Sequence, residues 1–262
     1  MITSTANKQV KYVNALIKKA KMRREENLFV AEGLRMCEEI PKDRIRALYV
    51  SESFWRGKHF SRLAEGIGQI EVVTDTVFEA LSDTRTPQGV LALAEQEHYT
   101  LEDVAEPSLL PHLMILEQIQ DPGNLGTILR AGECAGITGL VMDAGTADLY
   151  SPKVVRATMG SVLRVPFVYV EDLGAALTTL KKKGIRLYAA CLQGSQDYDQ
   201  EDYTDSTGFL IGNEANGLRQ ETMETADARI RIPMMGKAES LNAAMAAAVL
   251  MFEAARQRRR MG

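Results

Sequence analysis

Three cysteines, three histidines and a single tryptophan in 262 residues leave little room for several common chemistries. Cys37, Cys134 and Cys191 are odd in number and far apart, so neither a disulfide framework nor a Cys-x-x-Cys metal pair is expected. They read as small buried thiols in a reducing compartment. His59, His98 and His112 are scattered, with no His-Glu-x-x-His pattern, which argues against a bound metal. The chain also lacks Gly-x-Gly-x-x-Gly after a strand and lacks Gly-x-x-x-x-Gly-Lys-Ser/Thr. Neither a dinucleotide nor a P-loop phosphate site is therefore supported, and a small-molecule oxidoreductase loses its main sequence argument. The longest apolar run, Leu241 to Phe252, is too short to span a bilayer, and the N-terminus offers no apolar signal core. A cytoplasmic protein is expected. Aromatic residues make up only 6%, which weighs against an extensive base-stacking platform.

What is present is an ordinary globular balance, 45% hydrophobic and 25% charged, in a chain long enough for two modest domains. The net charge of −4 hides an uneven distribution. The first 24 residues carry Lys8, Lys11, Lys18, Lys19, Lys21, Arg23 and Arg24 without an acid, and the tail adds Arg256, Arg258, Arg259 and Arg260. Asp197, Asp199, Glu201, Asp202 and Asp205 form an acidic stretch that should face away from a phosphate backbone.

From Val10 to Arg24 apolar residues recur at helical spacing, predicting a basic amphipathic helix. Short apolar runs at Leu28 to Val30, Ala47 to Val50, Ile70 to Val73 and Val90 to Ala94 then alternate with helix-like stretches. The pattern predicts a small α/β domain over residues 1–96. Residues 97–111 break the periodicity and read as a linker. Over residues 112–262, runs at Leu113, Gly139, Pro166, Arg186, Phe209 and Ala228 interleave with helices, the pattern of a mostly parallel, two-sided α/β sheet. Ser151-Pro152 reads as a capping hydroxyl with proline at the first helical position, and Gly184 as a helix stop.

Three segments of this second domain pair loop glycines and carboxamides with a following helix. The first holds Asn124, Gly126 and Arg130, the second Gly212, Glu214, Gly217 and Leu218, and the third Ile232, Pro233, Ser240, Leu241 and Asn242. Individually each has a plain structural reading: Asn124 as a helix cap, Glu214 as a turn acid capping a helix from Leu218, Ser240 as an N-cap. Their joint occurrence in this order resembles the three signature motifs of the SpoU (TrmH-like) branch of the SPOUT superfamily. The stretch Ser151 to Pro166, with Lys153, Arg156 and Gly160, resembles the family's middle region. Phe29 to Gly33 and Thr86 to Val90 resemble its N-terminal RNA substrate-binding domain. Two departures are small: Ala215 stands where glycine is common, and Gly132 where a small residue such as alanine is usual.

The resemblance implies a C-terminal SPOUT α/β domain with a trefoil knot, preceded by the small α/β RNA-binding domain. It implies methyl transfer from S-adenosylmethionine to a ribose 2′-hydroxyl, with ribosomal RNA preferred and transfer RNA the alternative, by a homodimer whose site lies at the subunit interface. Carried over by position, Arg130, Asn124, Glu214, Ser240 and Asn242 would be catalytic, and Ala190, Leu192, Gly212, Ile232 and Leu241 would hold the cofactor. A residue matching Arg130 is the family's proposed general base. An arginine side chain ordinarily keeps its proton far above neutral pH, so a neutral guanidine at pH 7 costs roughly 8 kcal/mol. A charged Arg130 that orients ribose and phosphate stays open beside the base role. A non-catalytic RNA-binding or ribosome-assembly factor on the same fold is the rival, although occupancy alone would not need the polar set.

Overall fold

The computed structural model describes residues 1–106, 110–192 and 195–260. The chain divides into two compact units, Met1–Glu97 with Asp148–Leu163, and His98–Ala147 with Arg164–Gly262.

In the first unit the predicted basic helix forms as two, α1 (Lys8–Lys18) and α2 (Ala20–Glu26), separated by an extended Lys19. Val10, Val13 and Leu16 give α1 its buried face. The break has a local cause. The Arg23 guanidinium donates to the Leu16 and Ile17 carbonyls at 2.5 and 3.0 Å, acceptors that a continuing helix would have bonded to its own N–H groups. Its other edge meets Asp148 at 2.5 and 2.9 Å, and Arg23 is 3% exposed. Arg23 thus leaves the solvated basic face, whereas Lys8, Lys11, Lys18, Lys19, Lys21 and Arg24 remain on it.

There follow β1 (Leu28–Glu32), α3 (Leu34–Glu39), β2 (Ile45–Ser51), α4 (Glu52–Trp55), α5 (Phe60–Ala64), β3 (Ile70–Val73), α6 (Asp75–Leu81) and β4 (Val90–Glu95). The sheet order is β1-β4-β2-β3, with β4 antiparallel to both neighbours and β2 parallel to β3. Its inward residues Val30, Tyr49 and Leu91 pack with Val10, Leu16 and Phe78 from the helices. Glu32, in the first motif segment, holds the turn that precedes the second: it accepts from the Thr84 hydroxyl at 2.9 Å and the Asp83 N–H at 3.3 Å, and also from the Ser82 hydroxyl.

The second unit contains α7 (Leu101–Val104), β5 (His112–Leu116), α8 (Pro122–Ala135) and β6 (Gly139–Asp143). The chain returns to the first unit for α9 (Pro152–Thr158). It then completes the second with β7 (Phe167–Val170), α10 (Leu173–Lys182), β8 (Arg186–Ala190), β9 (Gln196–Asp197), β10 (Thr207–Ile211), α11 (Gln220–Thr225), β11 (Ala228–Arg231) and α12 (Ala243–Arg259). The strands run β7-β6-β5-β10-β8-β11-β9, and every pairing between them is parallel.

Two boundaries differ from the sequence expectation. Within residues 97–111, read as a linker, α7 carries a Thr100/Asp103 capping box and brings Val104 and Ala105 into the second unit's core. Residues 107–109 lie outside the described ones. The stretch around α9, expected with residues 112–262, belongs to the first unit. Tyr150 packs on Phe29 with ring centroids 4.7 Å apart, and Arg156 pairs with Asp83 at 3.5 Å. Local periodicity shows that a helix has an apolar face, not which core receives it. Pro152 stands at the start of α9 as predicted, but the Ser151 hydroxyl makes no cap bond. For α10 the Gly184 stop holds, at φ +81° just beyond the end, and Asp172 caps the start by accepting from the Ala175 N–H.

Candidate active site

Parallel pairing of β8, β10 and β11 puts their carboxyl ends, at Ala190, Ile211 and Arg231, on one edge of the sheet. Such edges are where open α/β sheets bind ligands. The loops leaving these strands enclose a cavity of about 510 Å³. Ala190, Leu192, Gly212, Ile232 and Leu241 all line it, together with Ile211, Leu218, Ile230, Met234 and Leu250, and with the polar residues Glu214, Glu239 and Ser240. An apolar cavity with a few polar groups at its rim has the character of a small-molecule site.

Gly212 is demanded by the close return of its own loop. A Cβ there would lie 2.2 Å from the Gly217 carbonyl carbon and the Leu218 nitrogen. The return is closed by paired backbone bonds between Asn213 and Gly217 at 3.1 and 2.9 Å, with Gly217 at φ +68°. Asn213 Oδ1 accepts from the Ala215 and Asn216 N–H groups, and its Nδ2 donates to the Gln118 carbonyl at 2.9 Å.

The three motif segments meet in one hydrogen-bonded chain. Asn242 Nδ2 donates to Asn124 Oδ1 at 2.9 Å, and Asn124 Nδ2 donates to Glu214 Oε1 at 2.9 Å. Glu214 also accepts from the Gln120 and Asp121 N–H groups at 3.3 and 3.2 Å. Asn242 Oδ1 accepts from the Ala244 and Met245 N–H groups, capping α12. Each carboxamide has its oxygen on an N–H donor and its nitrogen on an acceptor, so the direction of the chain is set at both asparagines. Burial would raise the Glu214 carboxyl, but the bonds from Asn124 and the backbone N–H groups outweigh it and hold the pKa below the ordinary carboxylate value.

The caps differ from the plain readings of these residues. Asp121 caps α8, accepting from the Asn124 N–H at 2.8 Å, so the Asn124 side chain is released for Glu214 and Asn242. Asn242, not Ser240, caps α12. Glu214 reaches α8 rather than capping α11, which starts at Gln220. Ser240 lines the cavity without a hydrogen bond among the described residues. Arg130 stands apart. It is six residues along α8 from Asn124, about 9 Å of rise and well round the helix. It is exposed, does not line the cavity, and has no hydrogen-bond or ion-pair partner among the described residues.

Residues 111–252 match the SpoU rRNA Methylase family, more than half of the chain. The chain belongs to the SpoU family. Residues 7–92 match the MRM3-like substrate binding domain. The 23S rRNA (guanosine(2553)-2′-O)-methyltransferase RlmP of Bacillus subtilis is 31% identical over 96% of this chain and 97% of its own length. The AdoMet-bound rRNA methyltransferase from Sinorhizobium meliloti is 32% identical, covers 97% of each chain and superposes with a TM-score of 0.85. The SpoU methyltransferase AviRb from Streptomyces viridochromogenes in complex with AdoMet is 27% identical, covering 97% of this chain and 98% of its own, with a TM-score of 0.89.

For a SpoU protein, the cavity residues fit an S-adenosyl cofactor. Apolar walls suit the adenosine, the tight Gly212 loop leaves backbone groups at its rim, and Glu214 and Glu239 supply negative charge suited to a sulfonium. Motif reading did not single out Asp121, Asn213 or Glu117. Glu117 is buried at the end of β5 and accepts from the Arg219 side chain, the Arg219 N–H and the Thr222 hydroxyl at 2.6, 2.7 and 2.6 Å, anchoring the segment beyond Leu218. An acid closing an otherwise apolar strand was its one sequence signal.

Proposed function

We propose that this SpoU protein is an S-adenosylmethionine-dependent RNA (ribose-2′-O)-methyltransferase that acts on ribosomal RNA in the cytoplasm as a homodimer. The observation that carries the reading is the chain Asn242–Asn124–Glu214 at the rim of an apolar cavity that includes Ser240. When bound, the cofactor supplies a methyl on a positively charged sulfur that leaves as a neutral thioether. The residues have to hold the 2′-oxygen in line, so that the new C–O bond forms as the C–S bond breaks, and to take up the hydroxyl proton. Asn124, fixed at both ends, and the ionised Glu214 orient the ribose. Asn242 holds the turn into α12 beside the cavity that Ser240 lines.

Arg130 is the remaining polar residue of the set, and its place supports a dimer. Exposed and without a hydrogen-bond or ion-pair partner among the described residues, it reaches the reaction in a second copy's site, as base or as orienting cation. Met245 and Phe252, 54% and 45% exposed and seven residues apart on α12, provide an apolar face for the association. The parallel sheet and α12 are consistent with the trefoil knot that the family implies. No helix among the described residues is long and apolar enough to cross a membrane.

The test is transfer of radiolabelled methyl from S-adenosylmethionine to ribosomal and transfer RNA from a strain lacking the protein, followed by nucleoside analysis. Labelled 2′-O-methylnucleoside from ribosomal RNA is expected. Label confined to transfer RNA would reassign the substrate, and tight RNA binding with no label would replace the enzyme by a non-catalytic RNA-binding factor.

A further inference from the structure

Every residue from 211 to 218 lines the cavity at the sheet edge, and the segment 117–124 fastens that loop along its first half. The Ile211 carbonyl accepts from the Glu117 N–H at 2.9 Å, Asn213 Nδ2 donates to the Gln118 carbonyl, and Glu214 takes the Gln120 and Asp121 N–H groups and the Asn124 amide. At the loop's far end, where Leu218 leads into α11, the fastening comes from one side chain of that segment, Glu117, among the described residues.

Glu117 is 1% exposed and does not itself line the cavity. Its Oε2 accepts from the Arg219 N–H at 2.7 Å, and its Oε1 accepts from Arg219 Nε and the Thr222 hydroxyl, both at 2.6 Å. A buried carboxylate is costly unless its donors are fixed in place, so these bonds hold residues 219–222 in one arrangement. Both anchored residues adjoin a cavity wall: Arg219 follows Leu218, and Thr222 precedes Met223. The backbone of Gly217 and Leu218 lies so close to Gly212 that no Cβ fits between them, so a shift of Arg219 is passed into the loop.

We infer that Glu117 is a positioning residue for the S-adenosyl cofactor, holding the 212–218 loop in its binding shape before the cofactor arrives; this rests on the reading of that cavity as the cofactor site. The bond that sets the loop is the one to the Arg219 backbone N–H. The Arg219 guanidinium, 48% exposed and also paired with Glu221 at 2.9 Å, is secondary. A loop fixed in advance loses little freedom on binding, which favours affinity and leaves the chemical step untouched.

Two conservative variants of the full chain separate this role from that of a stabilising ion pair. Glu117→Gln keeps the length and an oxygen for the Arg219 N–H but loses the charge. Glu117→Asp keeps the charge, which the flexible Arg219 side chain can follow, but is one methylene too short for the fixed backbone N–H. By calorimetry, S-adenosylmethionine should bind Glu117→Gln within about threefold of wild type and Glu117→Asp about tenfold more weakly. In Glu117→Asp the KM for S-adenosylmethionine should rise to match, with kcat and the KM for rRNA at wild-type values. Weaker binding by Glu117→Gln than by Glu117→Asp, equal binding by all three proteins, or a matching fall in kcat would overturn the positioning role. Amide exchange in the wild type needs no variant: the Asn213, Gly217 and Arg219 amides should already be slow without cofactor, and added S-adenosylmethionine should slow those of residues 190–192. An Arg219 amide that exchanges freely until cofactor is added would overturn the preset loop. Cofactor protection confined to residues outside the cavity would overturn the cofactor-site reading, and the role of Glu117 with it.

Discussion

The two units bring remote segments together by different means. In the second, uniformly parallel pairing carries the ends of β8, β10 and β11 to one edge, so the cavity arises from topology and the Asn242–Asn124–Glu214 chain adds orientation. In the first, β4 runs antiparallel to both neighbours, and individual side chains hold loops in place: Glu32 on residues 82–84, Gln88 on Leu34, Arg23 on the end of α1. A site made by topology tolerates loss of one hydrogen bond as structure but not as chemistry. A unit held by side-chain pins loses stability when a pin is removed.

Arg23→Ala should show the contrast most strongly. It strips Asp148 of its partner and leaves the Leu16 and Ile17 carbonyls unmet, a loss of about 3 to 5 kcal/mol for a buried charge pair. Urea unfolding should report that loss, while S-adenosylmethionine affinity measured in folded protein stays at the wild-type value. Lys11→Ala, on the exposed face, should change stability by no more than about 0.5 kcal/mol. An equal loss from both would erase the distinction between pinned and solvated basic residues.

The second unit has its own weak point at the opposite end of β5. Burial first, and then the positive charge of Arg258, push the His112 imidazole down to about 4. Its Nε2 has no hydrogen bond among the described residues. Above the unfolded value of about 6.5 both states are neutral and His112 contributes no pH dependence. As pH falls from there toward 4 only the unfolded state takes up the proton, so stability declines by about 3 kcal/mol across that window. Denaturant titrations at pH 7.5, 6 and 5 should show the decline in wild type and a flatter profile in His112→Leu. A wild-type profile flat down to pH 4.5 would remove His112 from this role.

Smaller stability effects than those of Arg23 and His112 belong to the hydrogen-bonded chain. Asn124→Ala and Asn242→Ala should each cost about 1 kcal/mol, with the double variant costing less than the sum because they share one bond. Methyl transfer should fall far more than stability in both. A variant that loses stability and activity in proportion would make the chain a structural pin like those of the first unit.

Much of this was legible in one dimension. Ile70–Val73 forms the strand that its apolar run predicted, and all five residues proposed for the cofactor line one cavity. Strand ends and loop glycines are local features, and parallel topology collects them in a predictable place. The helix break at Lys19 was not legible, because the residue that causes it, Arg23, looks like any other base in a basic run until Asp148 is found beside it. Nor was the release of Asn124 from capping, which depends on Asp121 taking that duty.

Apolar periodicity, cap residues and the order of three polar motifs are properties of neighbours along the chain, and from them come the α/β class and the SpoU family. Folding alone assigned α9 to the first unit and α7 to the second, buried Arg23, and separated Arg130 from the polar residues it accompanies in sequence. Those outcomes turn on which buried face and which unmet hydrogen-bonding group find each other across large sequence separations, and local pattern carries no record of such partners.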